Sequence, residues 1–170
     1  GIDDLAAAIK AGQETSLVSP FLWGTRRYIN SLARVIPPVD NAVRTTRVLA
    51  RRARVLADDN DSATPAQIEL LDSLSQVCLE LSEVYDVNSR VAQATVIPQC
   101  VNELRAAGQK AGMDLIPENG VLSAYAILAQ TRSLIVDLLM VCGMSHESAL
   151  AALAPTSETP SVEPETFDLD

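Results

Sequence analysis

The single histidine, His146, is the first residue to consider for chemistry, because imidazole serves both acid–base catalysis and metal binding. It precedes Glu147, and no second metal ligand follows three or four residues further on. The sequence also lacks HExxH, CxxC, Walker and GxGxxG patterns. We therefore interpret His146 as a solvated or helix-capping residue, and we expect no catalytic residue, no cofactor and no metal site.

The carboxylates and thiols give no stronger indication of catalysis. Glu80 and Glu83 fall on what should be the wet face of a helix, where solvation is their default role. Three cysteines, an odd number, are far apart and lie at apolar positions of predicted helices. We interpret Cys78, Cys100 and Cys142 as reduced core thiols, which favours a reducing compartment.

The most regular pattern is cationic and is named here the arginine ridge. Its members recur at spacings of three, four and three, which aligns them along one side of a helix: Arg44, Arg47, Arg51 and Arg54. The next predicted helix carries an acidic stripe: Glu69, Asp72, Gln76, Glu80 and Glu83. The ridge could pair with this stripe inside the fold or bind an external anion. We expect no nucleic acid, because aromatic stacking platforms and a recognition motif are missing.

Charge is distributed unevenly along the chain. The net charge of −9 is composed of −2 over residues 1–14, +7 over 15–56 and −14 over 57–170. A uniformly acidic chain would simply be soluble. A chain divided in this way has a positive segment that must face something negative, inside or outside the fold.

Three polar residues interrupt the most apolar stretch of the chain. Gln130, Arg132 and Asp137 lie between Leu122 and Cys142, and we read all three as structural. A buried guanidinium needs a partner, so we expect Arg132 to form a salt bridge with a neighbouring helix or to extend to the bundle end. Asp137 lies about 140° from Arg132 around the helix and should serve a different neighbour.

These patterns predict an all-α fold organised around that apolar stretch. Residues 122–142 are apolar on nearly all sides, as expected for a central helix. Gly143 then provides a left-handed cap, and Ser145 starts a short second helix that ends near Ala154. We predict one antiparallel bundle of five to six helices over residues 1–154, with this hooked helix at its end. Residues 155–170 should form an acidic, irregular tail.

Local signals set the other helix boundaries. Pro37 and Pro38 predict a break or a sharp bend, with a new helix starting at Asp40 or Asn41. Thr64, Pro65 and Gln67 are typical of a capping box: Thr64 is the N-cap, Pro65 the first helical residue and Gln67 the partner. The helix over residues 87–112 should be interrupted before Pro98. In the tail, Phe167 and Leu169 are the residues we expect to dock.

Two stretches resemble a known family. AQTRSLIVDLL followed by CGMSHESALAAL, residues 129–153, resembles the closing segment of the soluble region in bacterial FUSC-type membrane proteins, the fusaric acid resistance or aromatic acid exporter-like group. NAVRTTRVLARRA, residues 41–53, is similar to the arginine-rich helix of the same region. The resemblance implies a non-catalytic cytoplasmic helical domain of a membrane protein that exports organic anions. The transport path would lie in membrane spans outside this segment.

From the resemblance we expect a role in assembly, membrane apposition or gating at the cytoplasmic face of the plasma membrane. The expected partners are the protein's own transmembrane region, anionic lipid headgroups and a second copy of the chain. We expect the segment itself to be soluble, since no stretch of about 18 residues is both apolar and uncharged. The alternative is a free-standing helical adaptor that binds an acidic partner through the arginine ridge.

Overall fold

The computed structural model of the chain describes residues 4, 7–11, 23–87 and 89–165. Within these residues it is helical and has no strand, which confirms the all-α prediction. Besides the helical residues 7–11, the elements are α1 Trp23–Asp58, α2 Pro65–Val87, α3 Arg90–Lys110, a 3-10 turn Met113–Leu115, α4 Leu122–Val141 and α5 His146–Ala151.

The four long helices alternate in direction around α4. Two hydrogen bonds align α2 parallel to α4: Gln67 donates to the Ala124 carbonyl near the start of both helices, and Tyr85 donates to the Val141 carbonyl near their ends. Helices α1 and α3 run the opposite way. The predicted antiparallel bundle, with its short hooked helix at the C-terminal end, is therefore confirmed.

Helix α4 lies in the middle of the bundle, as its composition predicts. Its buried residues cover most of its circumference and include Ile135 and Leu139, both fully buried. Among the described helices, it is the one with the length and mean hydropathy to cross a membrane, and 61% of the relevant window is buried inside the bundle. This burial is typical of the core helix of a packed domain.

The predicted breaks at the prolines are wrong. Helix α1 continues through Pro37 and Pro38, and α3 continues through Pro98. A proline inside a helix removes a backbone hydrogen bond and crowds the preceding turn, at a cost of about 3 kcal/mol. In α1 the prolines lie between Val35 and Val39, both of which pack against the core. This packing offsets the local cost.

The predicted caps are confirmed. Thr64 Oγ1 accepts from the Gln67 amide at 3.2 Å, and Gln67 Oε1 accepts from the Thr64 amide at 3.1 Å, which completes a capping box. Gly143 has a φ of 98° after α4. Ser145 then caps α5 by accepting from the Ser148 amide at 3.1 Å.

The tail over residues 155–165 is irregular, as predicted, and it returns to the bundle. The Glu165 amide donates to the Ala151 carbonyl, and its carboxylate lies 3.0 Å from Arg105 of α3. The predicted docking of Phe167 and Leu169 falls outside the described residues.

Candidate functional site

The arginine ridge lies on the solvent side of α1, where all four side chains are exposed. Its two ends pair with carboxylates of the same helix. Arg44 Nη2 is 2.7 Å from Asp40 Oδ2, and Arg54 Nε is 3.8 Å from Asp58 Oδ2. Each pair joins residues four positions apart, so an acid stands at each end of the ridge.

The middle of the ridge forms no salt bridge in the described chain, although Glu83 and Asp86 of α2 line the same groove as Arg47. Arg47 and Arg51 form no salt bridge with any carboxylate that the structure describes. The acidic stripe belongs to α2, which packs mainly on α3. There, Glu80 accepts from Gln76 at 3.1 Å and from the Cys100 thiol at 3.8 Å. Among the described residues, no salt bridge joins the ridge to the stripe.

Arg132 bonds to a neutral backbone group at the end of a neighbouring helix, and not to a carboxylate. Its Nη1 donates a 2.5 Å hydrogen bond to the carbonyl oxygen of Ala111, the C-cap residue of α3. A cation at this position also interacts favourably with the helix dipole. The side chain is half-buried, and burial lowers its pKa. No described carboxylate lies within salt-bridge distance, so Arg132 joins α4 to the end of α3 without neutralising its charge.

Asp137, further along α4, bonds to a different helix from Arg132, as its position about 140° around α4 predicts. It is only 9% exposed, and Thr45 Oγ1 of α1 donates to its Oδ2 at 3.1 Å. Burial raises the pKa of Asp137, while the Thr45 hydrogen bond and the nearby His146 lower it. His146 is exposed at the start of α5. Gln130 is partly exposed on α4.

The thiols are poor candidates for covalent chemistry. All three are free, and burial raises the pKa of Cys142 to about 12 and that of Cys100 to about 11, the latter with a contribution from Glu80. Protonated thiols are weak nucleophiles. Cys78 is exposed on α2, which corrects its prediction as a core residue. In the described part of the chain, no group of three or more His, Cys, Asp or Glu residues is arranged to hold a metal ion.

Arg132, Asp137 and His146 share a pocket of about 550 Å³, which we name the α4–α5 pocket. Helix α4 forms one wall, and α5 with the residues after it forms another. The apolar lining consists of Met113, Leu128, Ala129, Val136, Leu150 and Leu153. The other polar residues are Tyr125, Ser133 and Thr156. An apolar pocket with a few convergent polar groups is the usual form of a small-molecule site.

The polar groups of this pocket are arranged for binding rather than for nucleophilic attack. Ser133 Oγ donates to the Ala129 carbonyl of its own helix at 3.1 Å. Among the described residues, no base lies within hydrogen-bond distance of this hydroxyl. The charged groups that remain are Arg132 and Asp137, and each is held by a neutral hydrogen-bond partner.

A larger groove of about 810 Å³ opens between α1, α2 and the C-terminal half of α4. Its walls are mainly apolar, with Val39, Leu81 and Leu138 among the lining residues. Arg47 also lines the groove. Ile9, from the helical residues 7–11, contributes to the wall as well, so the start of the chain contacts this groove.

Sequence reasoning missed the partners that fix the two charged residues of α4. Thr45 stands within the arginine-rich helix, and its type and position do not distinguish it from Thr46, which bonds to its own helix at Ala42. The Ala111 carbonyl is a backbone group and has no signal in the sequence. Both contacts depend on how α1 and α3 align with α4.

No protein-family model matches the chain. No solved structure matches it either. An uncharacterized protein of Corynebacterium glutamicum is 49% identical to it over 167 residues. The match covers 98% of this chain and 43% of that protein. The chain therefore spans less than half the length of this relative.

Proposed function

We propose that this chain is a non-catalytic helical domain of a larger FUSC-like membrane protein, where it lies against anionic headgroups at the cytoplasmic face through the arginine ridge. Its role would be in assembly, membrane apposition or gating of organic-anion export. The export path itself would lie in other parts of the protein.

The observation that carries the proposal is the uncompensated middle of the arginine ridge. Arg47 and Arg51 are exposed and have no salt-bridge partner in the described chain. Near an anionic membrane surface, each such arginine contributes about 1 kcal/mol of binding free energy. In the acidic stripe, Glu80 bonds to Cys100 of α3, and Glu83 lines the same groove as Arg47 without forming a salt bridge with it.

Two further observations support a membrane-bound parent protein. Segments 41–53 and 129–153 resemble the soluble region of FUSC-type proteins, and they contain three of the four ridge arginines and most of α4. The match covers only 43% of the relative from Corynebacterium glutamicum. The rest of a protein of that length would be long enough to contain membrane spans. A direct check is whether the full gene encodes several hydrophobic spans next to this segment.

The ridge is tested by co-sedimentation of the purified chain with vesicles of phosphatidylcholine alone or mixed with phosphatidylglycerol. The variant Arg47→Gln/Arg51→Gln removes the uncompensated pair. Its affinity for the anionic vesicles should fall about 30-fold, since two contributions of about 1 kcal/mol are lost. High salt should weaken the binding of the unaltered chain.

The matched control is Arg44→Gln/Arg54→Gln, which removes the same charge from the two arginines already paired on α1. This control should lose much less affinity than the central pair. Equal losses of vesicle affinity in the two double variants would contradict the proposal that Arg47 and Arg51 provide most of the membrane binding. Binding to immobilised polyglutamate without binding to anionic vesicles would favour the alternative, a helical adaptor for an acidic protein.

A further inference from the structure

The α4–α5 pocket presents two opposite charges, and the protein neutralises neither of them with a salt bridge. Arg132 donates to a backbone carbonyl, and Asp137 accepts from the Thr45 hydroxyl. We infer that this pocket binds a small zwitterion with an apolar body, with its carboxylate at Arg132 and its ammonium group at Asp137. The pocket is separate from the arginine ridge, so this inference goes beyond the proposed function.

The protein positions both charged groups before any ligand arrives. Arg132 is fixed by the 2.5 Å hydrogen bond to Ala111, and Asp137 is fixed by Thr45 at 3.1 Å. A guanidinium carries five N–H donors, so Arg132 retains donors for a ligand. Asp137 retains Oδ1 as an acceptor. Pre-positioned groups of this kind lower the ordering cost of binding.

The spacing of the two charges sets the shape of the ligand. Arg132 and Asp137 are five residues apart on α4, which separates their positions by about 7.5 Å along the helix axis and by about 140° around it. Leu128, Val136 and Leu150 line the same pocket. A ligand that reaches both charges must therefore carry them at opposite ends of an apolar chain, and its middle would replace water on the apolar wall.

A simple anion would satisfy this pocket less well than a zwitterion. The carboxylate of Asp137 lines the same cavity as Arg132, so it repels an anionic ligand while attracting an ammonium group. His146, the other titratable residue facing Asp137, is exposed on α5. It forms no salt bridge with Asp137.

The probe is 6-aminohexanoate, a flexible apolar chain with a charge at each end. Hexanoate and hexylammonium each keep one of the two charges. Binding is measured by isothermal titration calorimetry and by amide chemical shifts of α4 at pH 7.5. The zwitterion should bind about tenfold or more tightly than either control, because each control loses one charge-assisted hydrogen bond.

Two variants test the contribution of each charge to binding separately. Asp137→Asn keeps an acceptor for Thr45 and should reduce the affinity for 6-aminohexanoate to that for hexanoate. Arg132→Gln should reduce the affinity for 6-aminohexanoate and for hexanoate about tenfold, and it should leave the affinity for hexylammonium unchanged. Glu80→Gln, which removes a carboxylate outside the pocket, is the matched control and should change nothing.

Three results would overturn the inference. The first is hexanoate binding as tightly as the zwitterion, and the second is unchanged selectivity in Asp137→Asn. The third is the absence of any α4 shift with 6-aminohexanoate up to millimolar concentrations. Circular dichroism shows whether Arg132→Gln has loosened α3, and Asp137→Asn provides the independent readout in that case.

Discussion

The arginine ridge and the α4–α5 pocket use the same side chain in two different settings. On α1, four arginines stand in water, and two of them are paired with carboxylates four residues away. On α4, the single Arg132 is half-buried and bonds to the end of another helix. The ridge has more charge, whereas Arg132 has more contact with the fold.

This difference separates two roles of a charged residue. An exposed arginine contributes little to folding, because water already solvates it and salt screens it. A half-buried arginine that satisfies a buried carbonyl contributes more, because its removal leaves that carbonyl without a partner. The ridge is therefore suited to contacts with other molecules, and Arg132 to holding the pocket in shape. The following changes test this division.

The largest effect is expected at Arg132. Arg132→Met keeps the apolar stem but leaves the carbonyl of Ala111, a fully buried residue, without its donor. The free energy of unfolding should fall by about 1–3 kcal/mol, and the melting temperature by about 2–4 °C for each kcal/mol. Urea unfolding followed by circular dichroism measures the change.

The matched substitution on the ridge is Arg51→Met. Arg51 is exposed and forms no salt bridge with any described carboxylate, so its removal should change the unfolding free energy by no more than about 0.5 kcal/mol. Equal losses at the two positions would remove the distinction between ridge and pocket.

The elements that could be predicted from the sequence depend on neighbours in the chain. The capping box of Thr64 and Gln67 and the left-handed Gly143 are set by residues within three or four positions. The apolar circumference of α4 likewise predicts its central place without knowledge of its neighbours. Such features need no information about how helices align.

The features that could not be predicted depend on that alignment. Pro37 and Pro38 carry a local signal to end a helix, yet the packing of Val35 and Val39 on the core keeps α1 continuous. The partners of Arg132 and Asp137 follow from the register of α3 and α1 against α4. The same holds for Glu80 of the acidic stripe, which meets Cys100 of α3.

A smaller effect is expected from Asp137, and it depends on pH. Burial raises the pKa of Asp137 above its ordinary value of 3.8, so the folded chain holds a proton more tightly than the unfolded chain does. The native protein therefore gains stability relative to Asp137→Asn as the pH falls through the folded-state pKa toward 3.8. The gain is about 1.4 kcal/mol for each unit between the two pKa values.

Urea unfolding of both proteins at a series of pH values measures this gain as a difference in unfolding free energy. The Asn variant retains the acceptor for Thr45, so the difference isolates the carboxyl charge. His146, which faces Asp137 from α5, is common to both proteins. A difference that stays constant between about pH 3 and pH 8 would show that burial does not destabilise the Asp137 carboxylate.

The smallest effect is expected on the ridge, between Arg44 and Asp40. The Arg44 side chain is 71% exposed although the ion pair is only 2.7 Å long. A double-mutant cycle with alanine should therefore give a coupling of no more than about 0.5 kcal/mol, and high salt should reduce it further. A coupling above about 1.5 kcal/mol would mean that the ridge stabilises α1 much as Arg132 stabilises α3. A weak coupling means that the Arg44–Asp40 pair contributes little to the stability of α1, so substitutions on the ridge should leave the bundle intact.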